Sequence, residues 1–148
     1  MKSVLVHGGG GSKGSFGVGI LKGLSESNQK FDAIYGTSVG ALNAAGMAYG
    51  GIEKLEKIWN NIKGKEDILS FNLFSLLWSK GLFDMSPLKK LLDRNIVGME
   101  TCEAVTCSVH LNTGVIRYVS NKSASLSFFR ESVLSSASIP FAMEPVNG

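Results

Sequence analysis

The sequence predicts an α/β protein on a mainly parallel sheet, and two observations carry that prediction. Short apolar runs, Val4-Leu5-Val6 and Phe31 to Tyr35, each run out into glycine, as strands buried in a parallel sheet do. A segment with helical spacing follows each run. Strand, loop, helix, strand, turn and helix therefore alternate between Val4 and Tyr49, the pattern of βα units.

The elements follow in order. From Ser15 onward, Phe16, Val18, Ile20, Leu21 and Leu24 suit a helix that ends near Ser27-Asn28. The second strand closes at Gly36. Val39 to Tyr49 reads as an alanine-rich helix, narrow enough to lie close against a sheet. Ile52, Leu55, Trp59 and Ile62 form one face of a further helix, with Glu53 and Lys57 spaced as an i,i+4 pair on the other. Ser86-Pro87 supplies an N-cap and first turn for a helix that turns Leu88, Leu91 and Leu92 inward. Val105 to Leu111 and Val115 to Val119 flank Asn112-Thr113-Gly114, a hairpin signal. A last helix spans roughly Leu126 to Ala137, stopped by Pro140. No linker interrupts residues 1–148, which read as a single domain.

Composition narrows the function. The chain has 148 residues, 44% hydrophobic and 18% charged, which excludes wholesale disorder. Glycine is over-used at 18 residues against 3 prolines and without a repeat, so the glycines serve particular backbone positions. A net charge of +3, with lysines scattered rather than massed, argues against nucleic-acid binding and leaves room for an anionic membrane surface. Cys102 and Cys107 form no disulfide framework and no zinc-ligand spacing, and they read as reduced core thiols. The N-terminal apolar run is too short for a signal peptide. The most apolar window, Ile68 to Trp78, has 8 apolar residues in 11, short of the ~20 that a spanning helix needs. A cytoplasmic protein is expected.

His7-Gly8-Gly9-Gly10-Gly11-Ser12-Lys13-Gly14 lies between the first strand and first helix. Consecutive glycines let a backbone approach a ligand and turn its N–H groups inward, at a helix N-terminus where partial positive charge collects. A phosphate-binding P-loop fails, because Lys13 is followed by Gly14 rather than Ser or Thr. A dinucleotide fingerprint matches as Gly9-x-Gly11-x-x-Gly14, but the second strand lacks the acid that should end it, and Asp32 sits at its wrong end. An oxyanion hole and a tight turn with no chemistry are the remaining readings.

Gly36-Thr37-Ser38-Val39-Gly40 is a G-x-S-x-G pentapeptide where a strand meets a helix, the setting of a nucleophile elbow. One right-handed βαβ crossover separates it from the glycine loop, so both loops emerge at the carboxyl edge of one sheet. Glycine N–H donors and a serine hydroxyl then converge on one carbonyl, which describes acyl transfer. Ser38 attacks, and the N–H groups of Gly9, Gly10, Gly11 and Val39 stabilise the oxyanion.

These motifs resemble those of the patatin-like phospholipases. The resemblance rests on the glycine loop, on Gly-Thr-Ser-Val-Gly-Ala from Gly36, and on Ser136-Ala137-Ser138-Ile139-Pro140 followed by Glu144-Pro145-Val146. The Leu111-Asn112-Thr113-Gly114 hairpin and the Ser86-Pro87-Leu88 helix start also look familial. It implies a three-layer α/β/α fold, a Ser–Asp dyad without histidine, and hydrolysis of lipid acyl esters with no cofactor or metal. Ser38 is then the nucleophile, and Lys13 matches the family's basic residue in the oxyanion loop. Gly14, Gly36 and Gly40 support the two turns. Lipid or another acyl ester is the expected partner, with peripheral membrane contact.

The resemblance also implies an aspartate in an Asp-Gly-Gly or Asp-Gly-Ala motif after Val146. No such motif stands in these residues, so the sequence reads as part of a longer enzyme, or else as a shortened protein that binds acyl groups without turning them over. His110 follows Ser38 with Asp67, Asp84 and Asp93 between them, so a Ser…Asp…His order is formally available. However, that fold carries several strands before its elbow, and here one precedes it. The four aspartates, Asp32 included, read as surface or capping acids. His7 reads as a packed strand-end histidine, with polarisation of the loop as the alternative. The Ile68–Trp78 stretch, with Phe71, Phe74 and Trp78, reads as core packing or as a lid over lipid chains.

Overall fold

Val4–His7 forms strand β1, followed by a 3-10 turn over Gly11–Lys13 and helix α1 over Gly14–Glu26. The computed structural model describes residues 2–68, 70–71 and 83–138. Strand β2 spans Ala33–Thr37 and helix α2 spans Val39–Asn61. Two short strands, β3 at Ser70–Phe71 and β4 at Phe83–Asp84, pair antiparallel. Helix α3 covers Ser86–Asn95, strands β5 and β6 cover Glu103–Val109 and Ile116–Ser120, and helix α4 covers Leu126–Ala137.

The main sheet has four strands in the order β1-β2-β5-β6. The first three run parallel, and β6 returns antiparallel across the hairpin. This is the mainly parallel sheet with helices against it that the sequence predicts. The hairpin turns at Gly114, whose φ of 70° suits glycine, and its N–H donates to the His110 carbonyl at 2.8 Å. Ala41, Ala44, Ala45 and Ala48 are fully buried, so α2 sits on Ile34 and Ala104 with little between the backbones. Phe129 and Val133 of α4 complete that core, and Tyr49 meets the Phe129 ring at 6.1 Å between centroids. Val18 and Leu21 of α1 pack with Leu55 and Leu5.

Strand parity puts Leu5, His7 and Ile34 on this helix-covered face. Val4, Val6, Tyr35 and Tyr118 share the other face through the register, and each is exposed. Among the described residues, no helix is long and apolar enough to cross a membrane.

Several boundaries differ from the sequence reading. Gly36 and Thr37 belong to β2, because pairing with β5 extends the strand to the turn itself. Val39–Tyr49 and the Ile52 helix form one element with a kink at Gly51 (φ 65°, ψ −178°), a backbone state open to glycine. Ser86 is the first helical residue of α3 rather than its cap: Met85 occupies the N-cap position, and the Asp84 carboxylate accepts from Ser86 N at 2.8 Å. Glu53 and Lys57 are exposed, and the ion pair of α2 is instead Lys22–Glu56 at 2.8 Å, which ties α1 to α2. The end of the last helix at Ala137 agrees with expectation, whereas Pro140 lies outside the described residues. So do residues 69 and 72–78 of the lid reading, and Ile139 to Val146 of the familial motif.

Candidate active site

The parallel register pairs His7 with Gly36, so the two chains leave β1 and β2 side by side at the carboxyl edge. What lets them leave so closely is the absence of side chains. A Cβ on Gly36 would overlap the Gly40 carbonyl, and one on Gly40 would overlap the His7 carbonyl oxygen. The flanking glycines of the pentapeptide are therefore required by backbone-to-backbone contact.

Ser38 sits between β2 and α2 with φ 56° and ψ −125°, a conformation that costs a non-glycine residue about 1–3 kcal/mol. Surrounding bonds hold it there. Its N–H donates to Ser136 Oγ at 2.9 Å, and that hydroxyl donates in turn to the Cys107 carbonyl at 2.5 Å. Its carbonyl accepts from Ala41 N at 2.9 Å and Leu42 N at 3.3 Å, closing the first turn of α2. The side chain is half-buried and faces the glycine loop. A Cβ built on Gly9 would lie 3.2 Å from Ser38 Cβ and 3.9 Å from Ser38 Oγ.

The loop itself is exposed from Gly8 to Lys13. Gly11 has φ 55°, and Gly10 accepts from Lys13 N at 3.1 Å to form the 3-10 turn. The leading N–H groups of both α1 and α2 have no carbonyl four residues back within their own helix. Both helix starts flank Ser38, and both favour negative charge there. A groove of about 300 Å³ leaves the loop between β1 and α1, lined by Val6, Phe16 and Ile20 among others.

A family model described as patatin-like phospholipase matches residues 5–147. The chain belongs to this family. A search of the curated proteins returned no match.

Membership in the patatin-like family carries hydrolysis of lipid acyl esters as the family's activity. Within this patatin-like chain the other candidate residues have partners of their own. Asp32 stands at the start of β2, the end remote from Ser38, and accepts from Ser3 N at 2.7 Å. Asp67 accepts from Lys63 N and Gly64 N at 2.8 and 3.2 Å, and Asp93 meets Arg130 at 3.5 Å. These three and Asp84 act as turn, cap and ion-pair acids. His110 is exposed in the hairpin turn with its Nδ1 3.0 Å from Thr113 Oγ1, and among the described residues no hydrogen bond joins it to Ser38. Cys102 and Cys107 are free thiols, half-buried, and burial pushes the Cys102 thiol above its ordinary range.

Two contributors were not singled out from the sequence. Ser136 was legible only as part of a familial run, since nothing local shows that it reaches Ser38 across 98 residues. Asn43 is the other: it lies fully buried among the alanines of α2, and a lone amide in an apolar run is the signal that marks it.

Proposed function

We propose that this chain carries the nucleophile, Ser38, of a serine acyl hydrolase acting on lipid esters. The observation that carries the reading is the strained turn at Ser38, which holds the side chain beside the glycine loop at the carboxyl edge of the sheet. Backbone strain of this kind persists where it serves chemistry. Ser38 Oγ attacks the ester carbonyl. Donors from Gly9, Gly10, Gly11 and Val39 N–H stabilise the oxyanion, each typically worth about 2.7–4 kcal/mol in the transition state. Lys13 adds positive charge beside the loop, and Gly14, Gly36 and Gly40 keep the turns tight. The apolar groove past Phe16 and Ile20 suits a lipid acyl chain.

The base in this reading is an aspartate from an Asp-Gly-Gly or Asp-Gly-Ala motif, which is not among these residues. A serine without its base loses roughly 10²–10⁴-fold in rate. The alternative reading is an acyl-binding module without turnover. Hydrolysis of a p-nitrophenyl ester by the chain, and by a version extended through such a motif, separates the two. We expect at least ~10²-fold faster turnover in the extended protein, abolished by Ser38→Ala. Equal and negligible turnover in both, with acyl binding retained, would favour the binding module.

A further inference from the structure

A buried amide is costly unless both of its ends are satisfied, and Asn43 satisfies them in an ordered way. Its Oδ1 accepts from Trp59 Nε1 at 2.8 Å. Its Nδ2 donates to the Gly14 carbonyl at 3.0 Å and lies 3.4 Å from His7 Nε2. The other ring nitrogen of His7, Nδ1, lies 3.1 Å from the Gly8 carbonyl oxygen. These contacts join α2 to both ends of the glycine loop.

The direction of every link follows from groups that act in one sense only. An indole N–H donates and never accepts, so the amide oxygen must face Trp59. The amide nitrogen then faces Gly14 and His7, and it brings only hydrogens. His7 Nε2 must therefore present its lone pair, which leaves the ring proton on Nδ1, aimed at a carbonyl oxygen that only accepts. Two glycines make room for the chain of bonds. A Cβ on Gly17 would overlap the His7 ring, and one on Gly14 would press on the Trp59 ring.

We propose that Trp59, Asn43 and His7 form a one-way hydrogen-bond relay that positions the glycine loop, and that it sets where the loop's N–H groups point during acyl transfer. This inference rests on reading Gly9 to Gly11 as the oxyanion hole. Across a planar trans peptide, the Gly8 oxygen and the Gly9 N–H point opposite ways. Holding that oxygen against the imidazole turns the Gly9 N–H away from the ring, while Asn43 anchors Gly14 at the far end. The three are positioning residues, since each acts through the loop backbone.

Long-range ¹H–¹⁵N correlation spectra report the His7 tautomer, and amide exchange reports the loop. In the wild-type chain His7 is expected as the Nδ1–H tautomer. Trp59→Phe keeps an aromatic ring but removes the obligate donor. It should leave the amide oxygen unpaired and speed exchange across Gly9 to Lys13 by about fivefold, the equivalent of one lost hydrogen bond. The Gly14 carbonyl, which only accepts, still turns the amide nitrogen toward His7. Asn43→Asp replaces the amide with a group that only accepts, and should move the His7 proton to Nε2. Should that variant fail to fold, Trp59→Phe decides alone. An Nε2–H tautomer in the wild type, or unchanged loop exchange in Trp59→Phe, overturns the relay. Modification of Ser38 by a fluorophosphonate, run in parallel, should slow in Trp59→Phe if both readings stand. If wild-type Ser38 is never modified, even in the extended protein, the acyl-transfer reading fails, and the tautomer and exchange still decide the relay.

Discussion

Ser38 is held at φ 56° by its neighbours, and among the described residues its hydroxyl makes no hydrogen bond that would hold it. The Ser136 hydroxyl takes its N–H, and the first turn of α2 takes its carbonyl. The strain is therefore separable from the hydroxyl. Ser38→Gly relieves it, because glycine enters positive φ without steric cost, whereas Ser38→Ala keeps a Cβ and relieves nothing. We expect Ser38→Gly to raise stability by about 1 kcal/mol, after allowing for the extra flexibility of the unfolded glycine chain. Ser38→Ala should stay within ~0.5 kcal/mol of wild type, as a substitution that removes no bond usually does. Urea midpoints of the two variants check this. A stabilised Ser38→Gly beside an unmoved Ser38→Ala would mark the turn as a site where stability gives way to geometry.

At the scale of elements, α2 does two jobs with two compositions. Its first half, rich in alanine, lies close on the sheet and carries Ser38 at its start and Asn43 within. Its second half puts Leu55 in the core and half-buried Trp59 beneath α1, where the indole donates to Asn43. Gly51 redirects the helix between the halves, and its backbone at φ 65°, ψ −178° is one that residues with a Cβ rarely adopt. Gly51→Ala should therefore destabilise the protein by more than ~1 kcal/mol, although alanine is the better helix former by a similar amount. It should also loosen the Trp59 end of the relay. Denaturation of the variant with Trp59 fluorescence as one probe tests both effects. A stabilised Gly51→Ala would show that the kink serves no purpose.

For the molecule as a whole, the core between α2, α4 and the sheet holds the ionisable ring of Tyr49. Burial raises the Tyr49 phenol above its usual 10.0, and the Glu100 carboxylate adds to the rise. A group whose proton is held more tightly when folded leaves stability intact below its unfolded pKa. Stability then falls as pH rises from about 10.0 toward the raised value, since only the unfolded chain ionises there. Tyr49→Phe removes this linkage. Its urea midpoint should fall less steeply above pH 10 than that of the wild type, and the two curves should run parallel below it. Converging slopes across the alkaline range would place the loss elsewhere, as in the Lys22–Glu56 pair, whose lysine is also raised by its hydrogen bond to Glu56.

Much of this protein was legible in the order of its residues. Periodicity located the α/β alternation, and the hairpin followed from Asn112-Thr113-Gly114. The G-x-S-x-G turn was legible because backbone contact at Gly36 and Gly40 leaves no room for a Cβ. In the glycine loop Gly11 takes a positive φ of 55° that favours glycine, so both requirements are written locally. The last helix was also legible, as an approximate span from Leu126 to Ala137 that the structure matches. What only the tertiary structure decided are the relations between distant segments. Pairing with β5 drew Gly36 and Thr37 into β2, and folding joined two helical faces into one kinked α2. The same folding brought Ser136 under Ser38, and Trp59, Asn43 and His7 into one directed chain of bonds. Periodicity and turn chemistry act over a few residues and leave a local signature. A hydrogen bond between residues far apart in the chain leaves none, because its partners become neighbours only when the sheet and its helices have closed around them.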